Sequence, residues 1–371
     1  MKIIQASCYY PPHIGGVENH VMELTKALIR RDNDLQVLTS DIPKNEYNGC
    51  IKFKAKEIFP HYVPFIFGLS KIKFMDADIF HSHCPPPFFS KAICKANKKP
   101  HVITYHFDVK IPKRAGNIRI PTLLGEYVEK YYAQHYALKV IEDCDAIIVT
   151  GKSYAETSPI LHEFLSKCHV IPNGIDISKF DAAIRTLNNV RRSKIVLFVG
   201  RLVLPKGIDD LIRAMPAVLK EVPEAKLVIV GEGEEQKNLA ALVRNLALED
   251  KVEFRGYVKF KELVKCYREA SVFVLPSFTR LENFGIVLLE AMACRTPVIA
   301  ADIPGVRENI TKGNGLLFPP RDVDRLAESI ITIISDDEKV KRMGNVGRKL
   351  VEEKYDWEVI AEQVSKLYGG L

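Results

Sequence analysis

Short apolar runs alternate with amphipathic stretches along this chain. Lys2–Ser7 is an apolar run that reads as a buried strand, and Gly15-Gly16 follows it. Val17–Arg30 then places Val21, Leu24, Ala27 and Leu28 at helical spacing. Leu35–Ser40, Asp78–His83, His101–His106 and Ala146–Thr150 read as further strands. The alternation is βαβ, which predicts a mainly parallel sheet covered on both faces.

The pattern restarts in the second half. Strands are predicted over Lys194–Gly200, Lys226–Gly231, Val252–Gly256, Ser271–Pro276 and Pro297–Ala301. Helices are predicted over Ile208–Glu221, Glu235–Ala247, Phe284–Ala293 and Val323–Ser335. The polar stretch Asp181–Ser193, rich in Arg and Asn, reads as a linker. The fold class is therefore α/β, with two doubly wound, Rossmann-like domains. The first covers 1–180, the linker 181–193 and the second 194–355. Two such domains facing each other make a cleft at the carboxyl ends of their strands, where ligands bind. No repeat period relates the halves, which excludes a solenoid.

Composition sharpens this picture in three ways. Apolar residues are 47% and charged residues 27% of the 371, which excludes a disordered chain. The net charge of +7 sits mainly in the first half. It is too mild for a dedicated nucleic-acid binder and suits a phosphate-bearing substrate or an anionic surface. The eight cysteines are scattered with no C-x-x-C pair, so zinc-ribbon and thioredoxin motifs are absent and reduced, buried thiols are expected. No apolar run reaches the roughly 18 residues of a membrane span, and the N-terminus lacks a signal-peptide core. These readings predict a cytoplasmic protein, soluble or peripheral at the inner membrane face.

Three motifs carry chemistry. In Glu282-Asn283-Phe284-Gly285-Ile286-Val287-Leu288-Leu289-Glu290, a loop glutamate precedes a helix start near Phe284. Unpaired N–H groups at such a start suit a phosphate, and Gly285 lets a ligand approach the backbone. Glu290, about two turns on, can accept hydrogen bonds from two hydroxyls. A surface helix with two solvated glutamates fits the same letters. In Gly200-Arg201-Leu202-Val203-Leu204-Pro205-Lys206-Gly207, two cations follow a strand end, where they can hold a diphosphate leaving group. Loop charges in water are the alternative. In Pro11-Pro12-His13-Ile14-Gly15-Gly16-Val17-Glu18, a glycine pair opens a helix, as in phosphate-cradling loops or a plain tight turn.

With these motifs the chain resembles the retaining glycosyltransferases of family 4, of the GT-B fold. The likeness runs nearly the whole length. It includes Ile171-Pro172-Asn173-Gly174-Ile175-Asp176, Glu290-Ala291-Met292-Ala293, Thr296-Pro297-Val298-Ile299-Ala300, Pro304-Gly305-Val306-Arg307-Glu308 and Asn314-Gly315-Leu316-Leu317-Phe318. The resemblance implies that Arg201 and Lys206 hold the donor diphosphate, Glu282 contacts sugar hydroxyls and Glu290 the ribose. It implies that Asn283, Phe284, Gly285 and Ile286 lie beside sugar and phosphates. Tyr257 and Val258 would lie beside the base, and Gly16 at the acceptor-side mouth. His106, in Thr104-Tyr105-His106-Phe107-Asp108, matches the family's acceptor-side histidine. The resemblance also implies that a last helix, 356–371, crosses back onto the first domain. Arg295 stands where the family has glycine, after a helix end where positive φ is common.

The implied reaction moves a hexose from GDP-mannose or a UDP-hexose to a glycan, phospholipid or lipid-linked acceptor. It would proceed by same-face attack with retention and without a metal or other cofactor. A nucleotide-sugar epimerase and a non-catalytic nucleotide-sugar binder are the rival readings. Two stretches imitate other sites. Gly231-Glu232-Gly233-Glu234-Glu235-Gln236 resembles a dinucleotide fingerprint, but its carboxylates would repel a pyrophosphate. His81-Ser82-His83-Cys84 offers two histidines without further ligands at metal spacing, and reads as cleft edge or packing. The apolar, aromatic segment 58–69, flanked by lysines, is the candidate for peripheral contact with an anionic bilayer.

Overall fold

The structure, a computed structural model, describes all residues except 14, 43–48, 60–62, 112–113, 116–117, 120, 188–189 and 312. The chain divides into two compact units, Met1–Gly174 with Trp357–Leu371, and Ile175–Asp356.

The first unit is built on a seven-stranded sheet. Its strands are β1 (Lys2–Ala6), β2 (Asp34–Ser40), β3 (Cys50–Phe53), β6 (Ile79–Cys84), β7 (His101–Tyr105), β10 (Ala146–Val149) and β11 (Cys168–Val170). Two antiparallel ribbons, β4 (Ala55–Phe59) with β5 (Val63–Ile66) and β8 (Arg114–Ala115) with β9 (Ile118–Arg119), interrupt the sequence of sheet strands. The order β11-β10-β7-β6-β1-β2-β3 is parallel throughout. The chain leaves β1 toward one edge and returns to β6 on the other side, which makes β1/β6 the topological switch point. Helices α1 (Gly16–Arg30), α2 (Phe88–Lys95), α3 (Thr122–Tyr132), α4 (Leu138–Asp143) and α5 (Lys152–Glu156) connect the strands, with a π turn over Ala133–Ala137 joining α3 to α4.

The second unit opens with α6 (Ile177–Arg185) and is built on β12 (Ser193–Val199), β13 (Lys226–Val230), β14 (Val252–Gly256), β15 (Ala270–Leu275), β16 (Val298–Ala301) and β17 (Gly315–Phe318). The order is β14-β13-β12-β15-β16-β17, again parallel, with the switch point at β12/β15. Helices α7 (Ile208–Glu221), α8 (Gln236–Asn245), α9 (Phe260–Glu269), α10 (Ile286–Ala293), α11 (Val323–Ile334) and α12 (Asp337–Lys354) complete it. All six residues of β15 are buried, because helices cover both faces of the sheet. The chain then returns to the first unit with α13 (Trp357–Gly369), where Trp357, Ile360, Ala361, Val364 and Tyr368 join a core with Leu24 and Leu28 of α1. Among the described residues no helix is long and apolar enough to cross a membrane.

The structure differs from the sequence expectation in two places. The units divide between Gly174 and Ile175, upstream of 181–193. The start of that polar stretch is helical, because Ile177 and Phe180 of α6 are buried in the second core. Helix α10 begins at Ile286, two residues beyond Phe284, because Gly285 takes the left-handed conformation, φ +76°, and forms the N-cap.

Arg295 adopts φ +59°, the left-handed region its position after α10 suggests. Its N–H donates to the Met292 carbonyl (2.9 Å), and its carbonyl accepts from Arg192 Nη2 (2.8 Å). Surrounding bonds hold a conformation that a side chain disfavours by about 1 kcal/mol. Arg295→Gly is expected to raise stability by at most about 0.5 kcal/mol, because the entropy of the freer unfolded chain offsets much of the relieved strain. A urea titration showing a lower midpoint than wild type would contradict this.

Candidate functional site

In the second unit the parallel register of β12 with β13 and β15 lays three loops along one sheet edge. The loop after β12 carries Arg201 and Lys206. Buried Leu202 anchors it: its N–H donates to the Glu232 carbonyl and its carbonyl accepts from the Glu235 N–H, both at 2.9 Å. A Cβ on Gly231 or Gly233 would overlap the carbonyl oxygens of Gly200 and Leu202. The glycines of the false dinucleotide fingerprint thus serve the close approach of two loops.

The loop after β15 joins from the other side, where the Phe278 N–H donates to the Pro205 carbonyl (3.2 Å). This stitch brings Lys206 Nζ into an ion pair with Glu282 Oε2, which also accepts from Ser277 Oγ at 3.0 Å. Both side chains are largely sheltered, 23% and 13% exposed, so the pair is held more firmly than a surface salt bridge. Arg201 is exposed on the same loop.

Glu282 and Asn283 lead directly to the start of α10. Phe284 is buried, with its carbonyl held by Asn309 Nδ2 (2.5 Å), and Gly285 turns the backbone into the helix. No side chain caps this start, so its first N–H groups, Ile286 included, form an anion-attracting terminus beside the Lys206–Glu282 pair. Glu290, further along the helix, accepts a hydrogen bond from the Tyr267 hydroxyl of α9 (2.7 Å). Burial raises its carboxyl above the usual range, while the Tyr267 hydroxyl and then Lys179 act in the opposite direction. Tyr257 and Val258 follow β14, with the Tyr257 ring 77% exposed and Val258 packed against the core.

The first unit assembles its own set. Gly16 opens α1, and a Cβ there would meet nothing within 4 Å. His13 Nδ1 lies 2.8 Å from Glu18 Oε1, which ties the loop before α1 to its first turn. His106 follows β7, its N–H donating to the Cys84 carbonyl (2.8 Å). Next in the chain, buried Asp108 accepts from Tyr105 OH (3.1 Å) and Ser158 Oγ (2.7 Å), fixing the loop.

His106 stacks on His83, with one ring donating between His83 Nδ1 and His106 Nε2 at 3.0 Å. His20 of α1 meets both edge-on. Among the described residues these three form the one group of metal-ligating residue types, with ligand atoms within 4.8 Å of one another. The existing His83–His106 bond occupies one nitrogen of each ring. His81, beneath them, is bonded to Tyr368 OH (2.6 Å) and Thr104 Oγ1 (2.7 Å). Burial, then like-charge repulsion, drives the His81 pKa down to about 3 and those of His83 and His106 well below normal; burial takes His20 to about 4. The cluster is a neutral, polarisable wall. The sequence reading singled out His81, His83 and His106, but neither His20 nor the convergence of these rings from α1, β6 and β7.

The whole sequence also matches known proteins. Residues 180–367 match the glycosyl transferases group 1, and residues 14–179 match glycosyltransferase family 4. An uncharacterized glycosyltransferase of Methanocaldococcus jannaschii is 34% identical over 99% of this chain and 98% of its own length. The chain is a group 1 glycosyltransferase. The phosphatidyl-myo-inositol mannosyltransferase of Mycolicibacterium smegmatis is 28% identical, covering 95% of this chain and 90% of that protein. The Anabaena protein HepE, solved with UDP and glucose, superposes with a TM-score of 0.71 at 22% identity over the full length of both chains. These matches make the two doubly wound sheets those of the GT-B fold.

The buried histidines give this glycosyltransferase a defined acid sensitivity. Their folded pKa values lie below the unfolded value of about 6.5, so below that pH the unfolded chain binds more protons than the native one. Their stabilisation of the native state is complete above about pH 6.5 and is lost as pH falls toward 4. His20 alone, with its pKa near 4, is expected to cost on the order of 2 kcal/mol by pH 5. Calorimetry from pH 7.5 to 5 should show the melting temperature falling, and His20→Phe should flatten that slope. A slope unchanged by the substitution would contradict the assignment.

Proposed function

We propose that this enzyme is a retaining, metal-independent hexosyltransferase that uses a nucleoside-diphosphate sugar and acts on a glycan or lipid-linked acceptor. The observation that carries the reading is the sheltered Lys206–Glu282 pair beside the uncapped start of α10, at a topological switch point. Arg201, Lys206 and the N–H groups at Gly285 and Ile286 take the diphosphate and stabilise the charge that builds on it as the sugar bond breaks. Fixed cations and a helix terminus supply what a metal ion would otherwise provide.

Glu282, oriented by Ser277 and Lys206, accepts hydrogen bonds from the transferred sugar, with Asn283 and Phe284 beside it. Glu290 uses Oε2 for Tyr267 and offers Oε1 to the ribose hydroxyls. Exposed Tyr257, with Val258, receives the base. Gly16 leaves room at the acceptor side, and neutral His106 orients the sugar rather than attacking it. The acceptor hydroxyl attacks from the leaving-group face, and the departing phosphate takes its proton, so configuration is retained.

The phosphatidylinositol acceptor in the name of the mycolicibacterial relative supports a lipid-linked acceptor here. The lysine-flanked segment 58–69 is then a proposed bilayer contact. Its residues 60–62 lie outside the described residues, whereas Phe65 and Phe67 stand exposed with rings 5.0 Å apart.

Glu282→Ala and Lys206→Ala are each expected to lower transfer by about 10²–10⁴-fold, with folding intact. Mass analysis of products from a panel of GDP- and UDP-hexoses, with EDTA present, provides the test. Wild-type rates in both variants would refute the donor site, loss of activity in EDTA the metal independence, and donor isomerisation without acceptor would favour an epimerase.

A further inference from the structure

In the sequence, His81-Ser82-His83-Cys84 has no further ligands at metal spacing, but the fold brings two to His83. His20 comes from the second turn of α1, His83 from the end of β6 and His106 from the loop after β7. All three rings are at most 5% exposed. One ligand atom from each lies within 4.8 Å of the other two.

The spacing of the rings points to an ion. Zn2+ bonds an imidazole nitrogen at about 2.0–2.1 Å and the ring centre lies about 1.2 Å further, so tetrahedral angles set ring centres about 5.2 Å apart. The separations here are 5.0 Å for His20 and His106, 5.3 Å for His83 and His106, and 5.5 Å for His20 and His83. Three imidazoles already stand where one tetrahedral ion would need them.

Their hydrogen bonding is incomplete in the same place. Both nitrogens of His20 and Nε2 of His83 are buried without a partner. Asn173 lies near His20 outside bonding geometry, and its Oδ1 is also unpartnered. The bond inside the group, His83 Nδ1 to His106 Nε2 at 3.0 Å, is close to the roughly 3.4 Å between two nitrogens on a tetrahedral ion. An ion takes the place of the shared proton. With His83 as the donor, that proton shifts from Nδ1 to the unpartnered Nε2, and none is lost. His20 adds a lone pair that no other group uses, and Asn173 Oδ1 is placed to accept its remaining N–H, the usual outer support of a ligating histidine. Imidazoles suit Zn2+, whereas Mg2+ and Mn2+ favour carboxylate and carbonyl oxygens, which these three ligands do not offer.

We propose that His20, His83 and His106 form a three-imidazole binding site for a divalent transition ion of the Zn2+ class, with the fourth position left to water. The ion is not a cofactor of the transfer. An occupied site takes His106 away from the sugar, so Zn2+ inhibits and EDTA restores activity. That consequence rests on the proposed function, whereas binding of the ion does not.

Trp357 gives the site its own reporter. It is the only tryptophan of the chain, and its ring lies 5.3 Å from that of His20. Co2+ is the probe, because it quenches a nearby indole and its visible absorption intensifies in a tetrahedral site. Titrating the metal-free full chain with Co2+ is expected to quench Trp357 by about half or more at one equivalent, and Zn2+, but not Mg2+, should displace it. His20→Gln and His83→Gln should each weaken Co2+ binding by about 100-fold, with the wild-type far-ultraviolet circular dichroism retained. Three results would overturn the proposal: no quenching of wild type, quenching equally strong in both variants, or the near-ultraviolet absorption of a cobalt–thiolate bond, which would put the ion on cysteine. A melting temperature that still rises with UDP or GDP in any of these cases leaves the donor site standing.

Discussion

Parallel strand pairing is the constraint on which the rest of the structure depends. Because β12 pairs in parallel with both β13 and β15, all three strands end on the same edge. Their following loops must then share space there, although they lie far apart in sequence. The Leu202 bonds to the β13 loop and the Phe278 bond to Pro205 are consequences of that crowding. So is the meeting of Lys206 and Glu282 across 76 residues of chain. In an antiparallel sheet the same motifs would fall on opposite edges, and a cation and an acid would not converge on one helix start. The same constraint works in the first unit, where β1, β6 and β7 deliver the loop to α1, His83 and His106 to one end.

The parts of the fold legible in the sequence are those that this constraint makes apolar. A strand covered on both faces is a continuous hydrophobic run, and KIVLFVG, KLVIVG and SVFVL announce themselves. Strand β3, CIKF, is a short edge with an exposed lysine and gives no such signal. Helix α12 carries charge along most of its length and packs partly through Gly344 and Gly347. Glycine counts against a helix in a propensity reading, whereas here it admits the Arg295 carbonyl and the Met292 side chain.

The candidate site was legible to a similar, limited depth. Arg201, Lys206, Glu282 and Gly285 could be named because each sits at a strand end or helix start where phosphate chemistry has a physical reason to be, and Glu290 because it lies further along the helix that this start opens. Their supporting groups could not. Ser277 orients Glu282, Tyr267 occupies one oxygen of Glu290 and Asn309 holds the Phe284 carbonyl. Each is an ordinary polar residue whose role exists only through a contact made in three dimensions. The glycines after β13 show the converse case. Their letters imitate a cofactor fingerprint, and only the nearness of Gly200 and Leu202 reveals why they are glycines.

The histidine cluster connects packing to chemistry most directly. A charged His106 beside a sugar that develops positive charge would oppose bond breaking, so neutrality at working pH is a requirement of the proposed reaction. Burial alone would supply it, but a lone buried imidazole leaves ring nitrogens without partners, at a cost of about 1–3 kcal/mol each. Sharing a hydrogen bond with His83 reduces that cost, and beyond burial itself the nearby His20 and His81 rings would repel any proton on His106. His81 extends the arrangement to Tyr368 on α13, and His20 rests against Trp357 at the start of that helix. The return of the chain to the first unit therefore packs the last helix against His81 and His20, the two rings that with burial hold the His106 imidazole neutral.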